Sequence, residues 1–148
     1  MPSSLSIITS VRNCKEETKF FLESLKKYAP SSFKELILID DGSEKETMDF
    51  LASLKGKVKL YRNKISRGFG FSNNLGANHA SSNWLLFLNN DLVLTKNWYK
   101  PFEKVINDDS VLENLGCLGN VQLDPRTNAI DHAGISFSKG YPSHFLQG

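Results

Sequence analysis

The alternation of short apolar runs with amphipathic stretches limits most strongly how this chain can fold. LSIITS (5–10) and ELILIDDGS (35–43) read as buried strands because they are rich in aliphatic residues, and WLLFL (84–88) reads as a further strand. Residues 15–28 place apolar side chains at helical spacing, and Pro30 ends that helix. A β-α-β-α alternation requires crossover connections between parallel strands. We therefore expect an α/β fold with a Rossmann-like, mostly parallel sheet and helices on both of its faces.

The same pattern predicts finer details. Residues 57–63 alternate charged and apolar side chains, as a half-exposed strand does. Ser43 and Glu46 have the spacing of a capping box at the start of a second helix, and a third helix is expected within 67–82. The right-handed crossover rule predicts the strand order 3-2-1-4, with the carboxyl ends of strands one, two and four on one rim. Later expected elements are a helix with Trp98, Phe102, Val105 and Ile106, a strand at Gly116–Leu123, and a strand or hairpin arm at Ala129–Phe137.

Composition is that of an ordinary globular domain. The 148 residues are 40% hydrophobic and 23% charged, which suits one core and predicts a single domain over residues 1–148. The formal net charge is +2, and the basic residues are spread along the chain, so no nucleic-acid partner is expected.

Cellular location is inferred from what the sequence does not contain. Cys14 and Cys117 lack a CxxC spacing, which is typical of a protein in a reducing compartment. The N-terminus has no signal-peptide pattern, and no run approaches the roughly 18 apolar residues of a membrane span. We therefore expect a soluble cytoplasmic protein without a transmembrane segment, and its oligomeric state stays open.

Two adjacent acids, Asp40 and Asp41, end the second strand. Such a pair repels itself unless a ligand, a cation or backbone donors offset the charge. Ligands of open parallel sheets bind at this edge. The alternative is that one of the acids caps the following helix.

A glycine-bearing segment, NKISRGFGFSNNLG (63–76), follows the third strand. Gly68 and Gly70 resemble the opening of a dinucleotide fingerprint, but Asn73 occupies the position of its third glycine. The following helix could offer N–H donors to an anion, with Arg67 adding charge. An ordinary connection and helix explain the segment equally well.

The strand at 84–88 runs into Asn89-Asn90-Asp91 before the chain becomes apolar again. A polar turn explains this sequence. A single carboxylate here could also bind Mg²⁺ or Mn²⁺, because these ions need only one or two protein carboxylates when substrate phosphates complete their shell.

In this order, the stretches SIITSVRN, LILIDDGSEKET, NKISRGFGFSNNLG and WLLFLNNDLVL are similar to the motifs of family 2 glycosyltransferases of the GT-A fold. The resemblance runs from about Leu5 to Trp98, and residues 116–148 resemble the rhamnosyltransferase-type branch more loosely. It implies a GT-A nucleotide-diphospho-sugar transferase fold, a nucleotide-diphospho-sugar donor, and a glycan, lipid or protein acceptor.

The resemblance implies which residues contact the nucleotide. Thr9 and the backbone around Val11 to Asn13 match the loop that packs on the nucleobase. Asp41 matches the acid that accepts a hydrogen bond from a uracil-type N3–H. Three further residues match the segment that lines the nucleotide pocket: Arg67, Gly68 and Asn74.

The resemblance also implies a metal site. Asn90 and Asp91 match the metal-binding DxD-like motif. Asparagine replaces the family's first acid, so Asp91 is the expected main ligand of Mg²⁺ or Mn²⁺.

The implied reaction is an inverting transfer, in which an acceptor hydroxyl attacks the anomeric carbon while an Asp or Glu removes its proton. In the family this base lies well downstream of the DxD-like motif, and the sequence reaches Gly148 without a match. Asp124 and Asp131 are the nearest substitutes, so the catalytic residue stays unassigned. We expect a donor-binding portion truncated at its C-terminus, with a non-catalytic nucleotide-sugar-binding module as the alternative. A phosphoacceptor receiver domain is disfavoured, because its acid pair would follow the first strand.

Overall fold

The structure, a computed structural model, describes residues 4–108, 110, 115–124, 126–127, 129–132, 135–138 and 141–144. Residues up to Asn107 form one compact unit, and residues from Asp108 onward form a second. The assignment of residues 1–148 to one domain stays a prediction.

Four parallel strands form the sheet of the first unit. They are β1 (Leu5–Val11), β2 (Phe33–Asp41), β3 (Val58–Asn63) and β4 (Trp84–Phe87), in the spatial order β3-β2-β1-β4. This confirms the predicted order 3-2-1-4. Because all four strands are parallel, the residues that follow β1, β2 and β4 lie at one edge of the sheet. We call this edge the carboxyl rim.

Helices cover both faces of this sheet, as predicted. Phe21 and Leu25 of α1 (Lys15–Tyr28) and Leu51 of α2 (Lys45–Ser53) belong to the hydrophobic cluster on one face. On the other face, Ile8, Ile37 and Ile39 pack against partly buried residues of α3 (Phe69–His79). α4 (Lys100–Ile106) adds Ile106 to the first cluster. Each buried Leu, Ile or Phe stabilises such a core by roughly 1.5–3 kcal/mol.

The side chains of β2 alternate between these two faces. Leu36 and Leu38 belong to the cluster beneath α1 and α2, whereas Ile37 and Ile39 face α3. This period of two assigns Asp40 to the α1 and α2 face, and it assigns Glu35 and Asp41 to the α3 face. β2 therefore has a buried carboxylate near each end on one face.

α3 approaches the sheet closely at Gly76. A Cβ atom added there would lie 2.5 Å from Ile8 Cγ2, a distance that real Cβ atoms do not show. The absence of a side chain at this position therefore sets how near the helix comes to β1.

The described residues of the second unit contain two strand pairs. β5 (Gln122–Leu123) pairs antiparallel with β6 (Ile130–His132), and β7 (Ile135–Ser138) pairs antiparallel with β8 (Tyr141–His144). The predicted strand at Gly116–Leu123 is too long by six residues, since the strand observed there is Gln122–Leu123. Gly116 and Gly119 weaken the earlier part as a strand. The predicted arm at Ala129–Phe137 corresponds to β6 and β7.

The predicted capping box at Ser43 is wrong. α2 begins after Glu44 without a side-chain cap, and the Ser43 hydroxyl instead accepts a hydrogen bond from the Asn13 amide. Glu46 forms an ion pair with Lys15 of α1. Long-range bonds have replaced the local motif, one between two loops and one between α1 and α2.

Helix length and polarity also bear on membrane insertion. Within the part of the chain that the structure describes, each helix is too short or too polar to traverse a bilayer.

Candidate functional site

The predicted site residues come from β1, from the end of β2, from the loops at the carboxyl rim, and from the start of α3. Asn13 follows β1, Asp41 ends β2, and Asn90 and Asp91 follow β4. The register aligns Val11 with Asp40, and the Leu88 amide donates to the Ile8 carbonyl, so these strand ends are neighbours in space. The rim therefore brings together residues that are far apart in sequence.

The adjacent acids at the end of β2 point to opposite faces of the sheet. Asp40 accepts a hydrogen bond from the Ser43 amide at 2.8 Å and pairs with the Arg62 guanidinium at 3.1 Å. Asp41 lies on the α3 face with a different set of partners. The repulsion expected of this acid pair is offset within the chain itself, by a cation on one side and hydrogen-bond donors on the other.

The Asp41 carboxylate accepts four hydrogen bonds from residues 63–68. Its Oδ1 atom accepts from Asn63 Nδ2 at 2.7 Å and from the Arg67 amide at 2.8 Å. Its Oδ2 atom accepts from Ser66 Oγ at 2.7 Å and from the Gly68 amide at 3.0 Å. The side chain thus ties the end of β2 to the connection between β3 and α3.

Hydrogen bonding decides the charge state of Asp41. Burial by itself raises the pKa of this carboxyl, because it penalises the charged form. The Arg67 amide and the Ser66 and Asn63 side chains outweigh that effect and hold the pKa of Asp41 well below its usual range. Asp41 is therefore a permanent anion near neutral pH.

Gly42 brings the same connection close to β2 in another way. Its φ of 73° lies in the left-handed region that favours glycine, and a Cβ atom there would lie 2.7 Å from the Ser66 amide nitrogen. Residues 65 and 66 therefore pack against the backbone of Gly42. This contact and the hydrogen bonds of Asp41 hold residues 63–68 from two sides.

The loop after β1 is tied to the loop after β2. The Asn13 amide donates to Ser43 Oγ at 2.9 Å, and Asn13 Oδ1 accepts from the Glu44 amide at 2.9 Å. Asn13 and Cys14 both have positive φ values, 58° and 54°, which non-glycine residues rarely adopt. Such backbone persists only where the surroundings hold it, and here the bonds to Ser43 and Glu44 do so.

A shallow depression lies between the starts of α1 and α2, and it contains Asn13. Four of its lining residues are acidic: Glu16, Glu17, Glu44 and Glu46. Their charge disfavours a phosphate group in this depression.

Asp91 is exposed on a turn that α1 anchors. Asn90 Nδ2 donates to Thr18 Oγ1 at 3.0 Å, and the buried Thr18 hydroxyl donates to the Cys14 carbonyl at 2.8 Å. The Asn90 side chain thus points towards α1. Of these two residues Asp91 is the exposed one, and it lies in the turn that follows β4.

The segment that follows the turn runs alongside α1. The Leu94 amide donates to Ser24 Oγ at 3.0 Å, and Trp98 Nε1 donates to the Tyr28 carbonyl at 2.9 Å. With the bond from Asn90 to Thr18, three hydrogen bonds spaced four residues apart hold residues 90–98 on the helix. The position of Asp91 therefore depends on contacts away from the rim.

The start of α3 carries the remaining predicted residues. Gly68, with a φ of 87°, precedes the first helical residue, and its amide already donates to Asp41. The Arg67 side chain is exposed, and its guanidinium lies 4.3 Å from the centre of the Phe71 ring. Asn74 is exposed on the same helix. The positive end of α3 thus faces a carboxylate of the chain itself.

Two predicted residues are buried within β1. Thr9 and Val11 are fully enclosed, and the Thr9 hydroxyl has no hydrogen-bond partner among the described residues. Where β1 meets the surface, it does so through the loop that contains Asn13.

The donor atoms at the rim determine which metal ion could bind there. The part of the chain that the structure describes contains no cluster of three or more His, Cys, Asp or Glu side chains suited to a metal. Asp91 supplies one exposed carboxylate, and the side-chain oxygen of Asn90 is a second hard donor. Such a sparse oxygen set fits Mg²⁺ or Mn²⁺ when substrate phosphates supply further ligands, and it does not fit zinc.

The second unit contains the predicted substitutes for a catalytic base. Asp124 is bound by its neighbours, since Arg126 donates through its amide at 2.7 Å and through its guanidinium at 2.9 Å. These bonds, led by the side chain of Arg126, lower the pKa of Asp124. The side chain of Asp131 lies outside the described residues.

Comparisons with known proteins identify the family. The model for Glycosyl transferase family 2 matches residues 6–141. The chain belongs to this family.

Individual relatives agree with this assignment. An uncharacterized glycosyltransferase of Haemophilus influenzae is 40% identical over 87 residues, which are 59% of this chain and 29% of the relative. The structure of GalNAc-T7 with UDP, GalNAc and Mn²⁺ superposes with a TM-score of 0.58 at 28% identity, covering 67% of this chain and 20% of that one.

The Staphylococcus aureus TarS 1–349 structure in complex with UDP-GlcNAc has a TM-score of 0.62 at 23% identity, covering 70% of this chain and 31% of that one. Together these structures confirm the GT-A fold. The chain spans less than a third of the length of these relatives.

Sequence reasoning missed three residues that build the rim. Asn63 and Ser66 hold Asp41, and Thr18 holds Asn90. Asn63 could have been predicted, because it is the polar last residue of β3, the strand next to β2. Thr18 gives no signal, since a threonine within an amphipathic helix has no distinguishing context.

Proposed function

We propose that this chain is the donor-binding part of a glycosyltransferase. It binds a nucleotide-diphospho-sugar at the carboxyl rim with a Mg²⁺ or Mn²⁺ ion at Asp91, for inverting transfer of the sugar to a glycan, lipid or protein acceptor. The observation that carries the proposal is the exposed Asp91 carboxylate, held on an anchored turn at the same rim as Asp41. Membership of a family of glycosyltransferases supports it.

In this proposal Asp91 and Asn90 have separate tasks. Asp91 binds the metal, and Asn90 fixes the turn through its bond to Thr18. When bound, a divalent ion supplies positive charge to the leaving diphosphate. Asp91 thus contributes by setting where the phosphates lie.

The nucleotide then extends from Asp91 towards residues 63–68. The acidic depression between α1 and α2 disfavours the diphosphate. The phosphates are therefore expected at the part of the rim next to β4. Arg67 is exposed and cationic, and its contact with Phe71 holds the guanidinium in place. Asn13 belongs to the wall of this site through the loop that it shares with Ser43 and Glu44.

The proton acceptor for the transfer step is not assigned to Asp124. Its bonds to Arg126 and Thr127 stabilise a turn, and its lowered pKa weakens it as a base.

Calorimetry with UDP, with and without Mn²⁺, tests the proposal. The wild type should bind UDP at least about tenfold more tightly with the metal, which corresponds to about 1.4 kcal/mol. Asp91→Asn should lose this enhancement while keeping the metal-free affinity. Asp49→Asn, at an exposed position on α2, serves as the matched control and should behave as wild type.

Equal UDP affinity with and without Mn²⁺ in the wild type would refute the metal site. A non-catalytic nucleotide-sugar-binding module would show metal-dependent binding with no transfer of sugar by the longest natural version of the protein. That result would reject the transferase proposal and retain donor binding.

A further inference from the structure

Lysine side chains of the first unit gather at the edge of the sheet opposite the carboxyl rim. We call this edge, at the amino ends of the four parallel strands, the amino rim. Its loops and flanking residues carry six exposed lysines: Lys26, Lys27, Lys34, Lys55, Lys57 and Lys96. They come from four separate stretches of the sequence, so folding brings them together, and the sequence alone shows them as scattered.

Hydrogen bonds place the lysines near β2 and β3 at this rim. Lys34 Nζ donates to the carbonyl of Ser81, in the loop before β4, at 3.2 Å. Lys57 Nζ donates to the carbonyl of Phe33, the first residue of β2, at 3.3 Å. Lys55 lies in the same loop as Lys57, between α2 and β3. These ammonium groups therefore lie beside the loops that enter three neighbouring strands.

The other three lysines lie near the C-terminus of α1. Lys26 and Lys27 are in the last turn of this helix, which ends at the amino rim because it leads from the end of β1 to the start of β2. Lys96 is close to them, because Trp98 Nε1 donates to the Tyr28 carbonyl at 2.9 Å. Lys27 and Lys96 line the same surface depression.

Acidic side chains do not neutralise this rim. Within the described residues, none of the six lysines forms an ion pair, and the buried Glu35 is already paired with Lys59. The other paired cations of the first unit lie in the first turns of α1 and α2 or near the end of β3: Lys15, Lys19, Lys45 and Arg62.

The formal net charge of the whole chain is only +2, so positive charge at the amino rim is a matter of distribution. Acidic residues are concentrated at the other end of the sheet, around the starts of α1 and α2. A surface with one sign of charge attracts partners of the opposite sign. The amino rim is therefore suited to an anionic partner.

Exposed apolar side chains adjoin these lysines. Phe20 of α1 is 59% exposed and Val93 is 69% exposed, and both line the depression that also contains Lys27 and Lys96. A bilayer surface accepts this combination, because lysines reach the phosphate headgroups while apolar groups enter the boundary of the acyl chains.

Nucleic acid is the competing anionic partner. Arginine is the side chain that best recognises phosphates and base edges, because its planar fork forms two hydrogen bonds at once. All six cations of the amino rim are lysines, whereas the three arginines of the first unit, Arg12, Arg62 and Arg67, lie towards the carboxyl rim. Point charges beside an apolar depression favour a lipid surface over a nucleic acid.

We propose that the amino rim binds the surface of an anionic phospholipid bilayer, through its six lysines and the depression that contains Phe20 and Val93. Each lysine close to such a surface strengthens binding by on the order of fivefold. The proposed donor site lies at the opposite edge of the sheet, so nucleotide binding and membrane binding use different residues. The bilayer proposal therefore does not depend on the proposed function.

Co-sedimentation of the full chain with vesicles measures this binding. The wild type should bind vesicles of phosphatidylcholine that contain about 30% phosphatidylserine, and it should not bind vesicles of phosphatidylcholine alone. Raising the salt concentration from about 0.1 M to about 0.5 M should weaken the binding at least about tenfold, because salt screens exposed charges.

Two triple variants separate the amino rim from overall charge. The first combines Lys26→Gln, Lys55→Gln and Lys96→Gln, and it should lower affinity for the anionic vesicles by at least about 25-fold. The matched control combines Lys19→Gln, Lys45→Gln and Lys64→Gln, which lie in the first two turns of α1, at the start of α2 and just after β3. It should lower the affinity by less than about threefold. All six side chains are exposed, so both variants should fold, which circular dichroism checks.

Four results would overturn the proposal. The first is no binding of the wild type to the anionic vesicles, and the second is equal binding to vesicles of phosphatidylcholine alone. The third is an equal loss in the two triple variants, which would mean that net charge alone attracts the protein. The fourth is binding to duplex DNA at a salt concentration that abolishes vesicle binding, which would make nucleic acid the partner of this rim.

Discussion

Each end of β2 has a buried carboxylate, but the two carboxylates have different surroundings. Glu35 near the amino end and Asp41 at the carboxyl end are buried carboxylates on the α3 face, and each accepts several hydrogen bonds. Glu35 binds Ser6 of β1 and Ser81 just after α3, whereas Asp41 binds the segment just before α3. One strand therefore holds both ends of the same helix.

The partners differ in charge. Lys59 of β3 forms an ion pair with Glu35 at 2.6 Å, whereas the four donors to Asp41 are neutral groups. The charge of Glu35 is thus matched within the scaffold, and that of Asp41 contributes a negative potential at the carboxyl rim, to which exposed Asp91 adds. These two carboxylates repel a diphosphate, so a metal ion or an exposed side chain such as Arg67 has to offset their charge. We infer that the carboxylate at the amino end serves stability alone and that the one at the carboxyl end serves stability and binding together.

Replacement of Glu35 should give the largest loss of stability. Glu35→Ala leaves the buried Ser6 hydroxyl and the Ser81 donors without their acceptor, so we expect the free energy of unfolding to fall by about 3 kcal/mol. Urea denaturation measures this loss, and exposed Glu23→Ala is the matched control. UDP affinity of the folded variant should be unchanged. A large loss of UDP affinity would show that the amino end of β2 serves binding as well as stability.

The contribution of Glu35 to the free energy of unfolding should depend on pH. Burial by itself raises the pKa of Glu35, but the bonds from Lys59, Ser6 and Ser81 outweigh it and lower the pKa from 4.5 to about 2. The unfolded state therefore takes up the proton first. The stabilisation is complete above about pH 4.5 and is lost as the pH falls towards about 2, with a total of the order of 3 kcal/mol.

Unfolding free energies measured between about pH 5 and about pH 3 check this loss. Glu35→Gln should flatten the decline, and the remaining slope should come largely from Asp41, whose lowered pKa acts in the same direction. An unchanged slope in Glu35→Gln would contradict the assignment.

Substitutions of Gly42 and Gly76 should have smaller effects on stability and can be compared directly. Gly42→Ala would place a Cβ against the backbone of residue 66, and Gly76→Ala would place one against the side chain of Ile8. Each should lower the free energy of unfolding by about 1–3 kcal/mol. Gly42→Ala should also weaken UDP binding, because it displaces the segment that Asp41 holds. If Gly76→Ala weakened binding as much, the effect would not be specific to the rim.

The smallest change in stability is expected at Asp91. Its carboxylate is exposed, so Asp91→Asn should alter the free energy of unfolding by less than about 0.5 kcal/mol. Thermal unfolding without nucleotide measures this. With UDP and Mn²⁺ present, the wild type should be stabilised more than the variant. A loss of stability without ligand would assign Asp91 to the scaffold.

The scaffold was predictable from local patterns. The bounds of α1 are those expected, because its apolar period is regular and Pro30 follows it. Alternating strands and helices implied parallel pairing, and parallel pairing implied that Asp41 and Asp91 share a rim. These steps use residues close in sequence and one rule of handedness.

The details of the site depend on distant partners. The donors to Asp41 lie 22 to 27 residues away, and Glu35 meets Ser81 across 46 residues. Glu35 has the pattern of an ordinary strand residue, since hydrophobic periodicity does not reveal a buried ionic partner. Ser43 failed as a cap for the same reason, because Asn13 competes for its hydroxyl from 30 residues away.

The attachment of residues 90–98 to α1 has an evolutionary consequence. The donors of its three hydrogen bonds, Asn90, Leu94 and Trp98, are four residues apart, so one inserted or deleted residue between them would shift every later bond out of register. Each bond needs at least one particular side chain, and within residues 90–98 only Leu94 bonds through its backbone. Natural variants should therefore keep the length of this stretch and its donor side chains at positions 90 and 98, and the distance from the turn that carries Asp91 to Trp98 should be inherited almost unchanged.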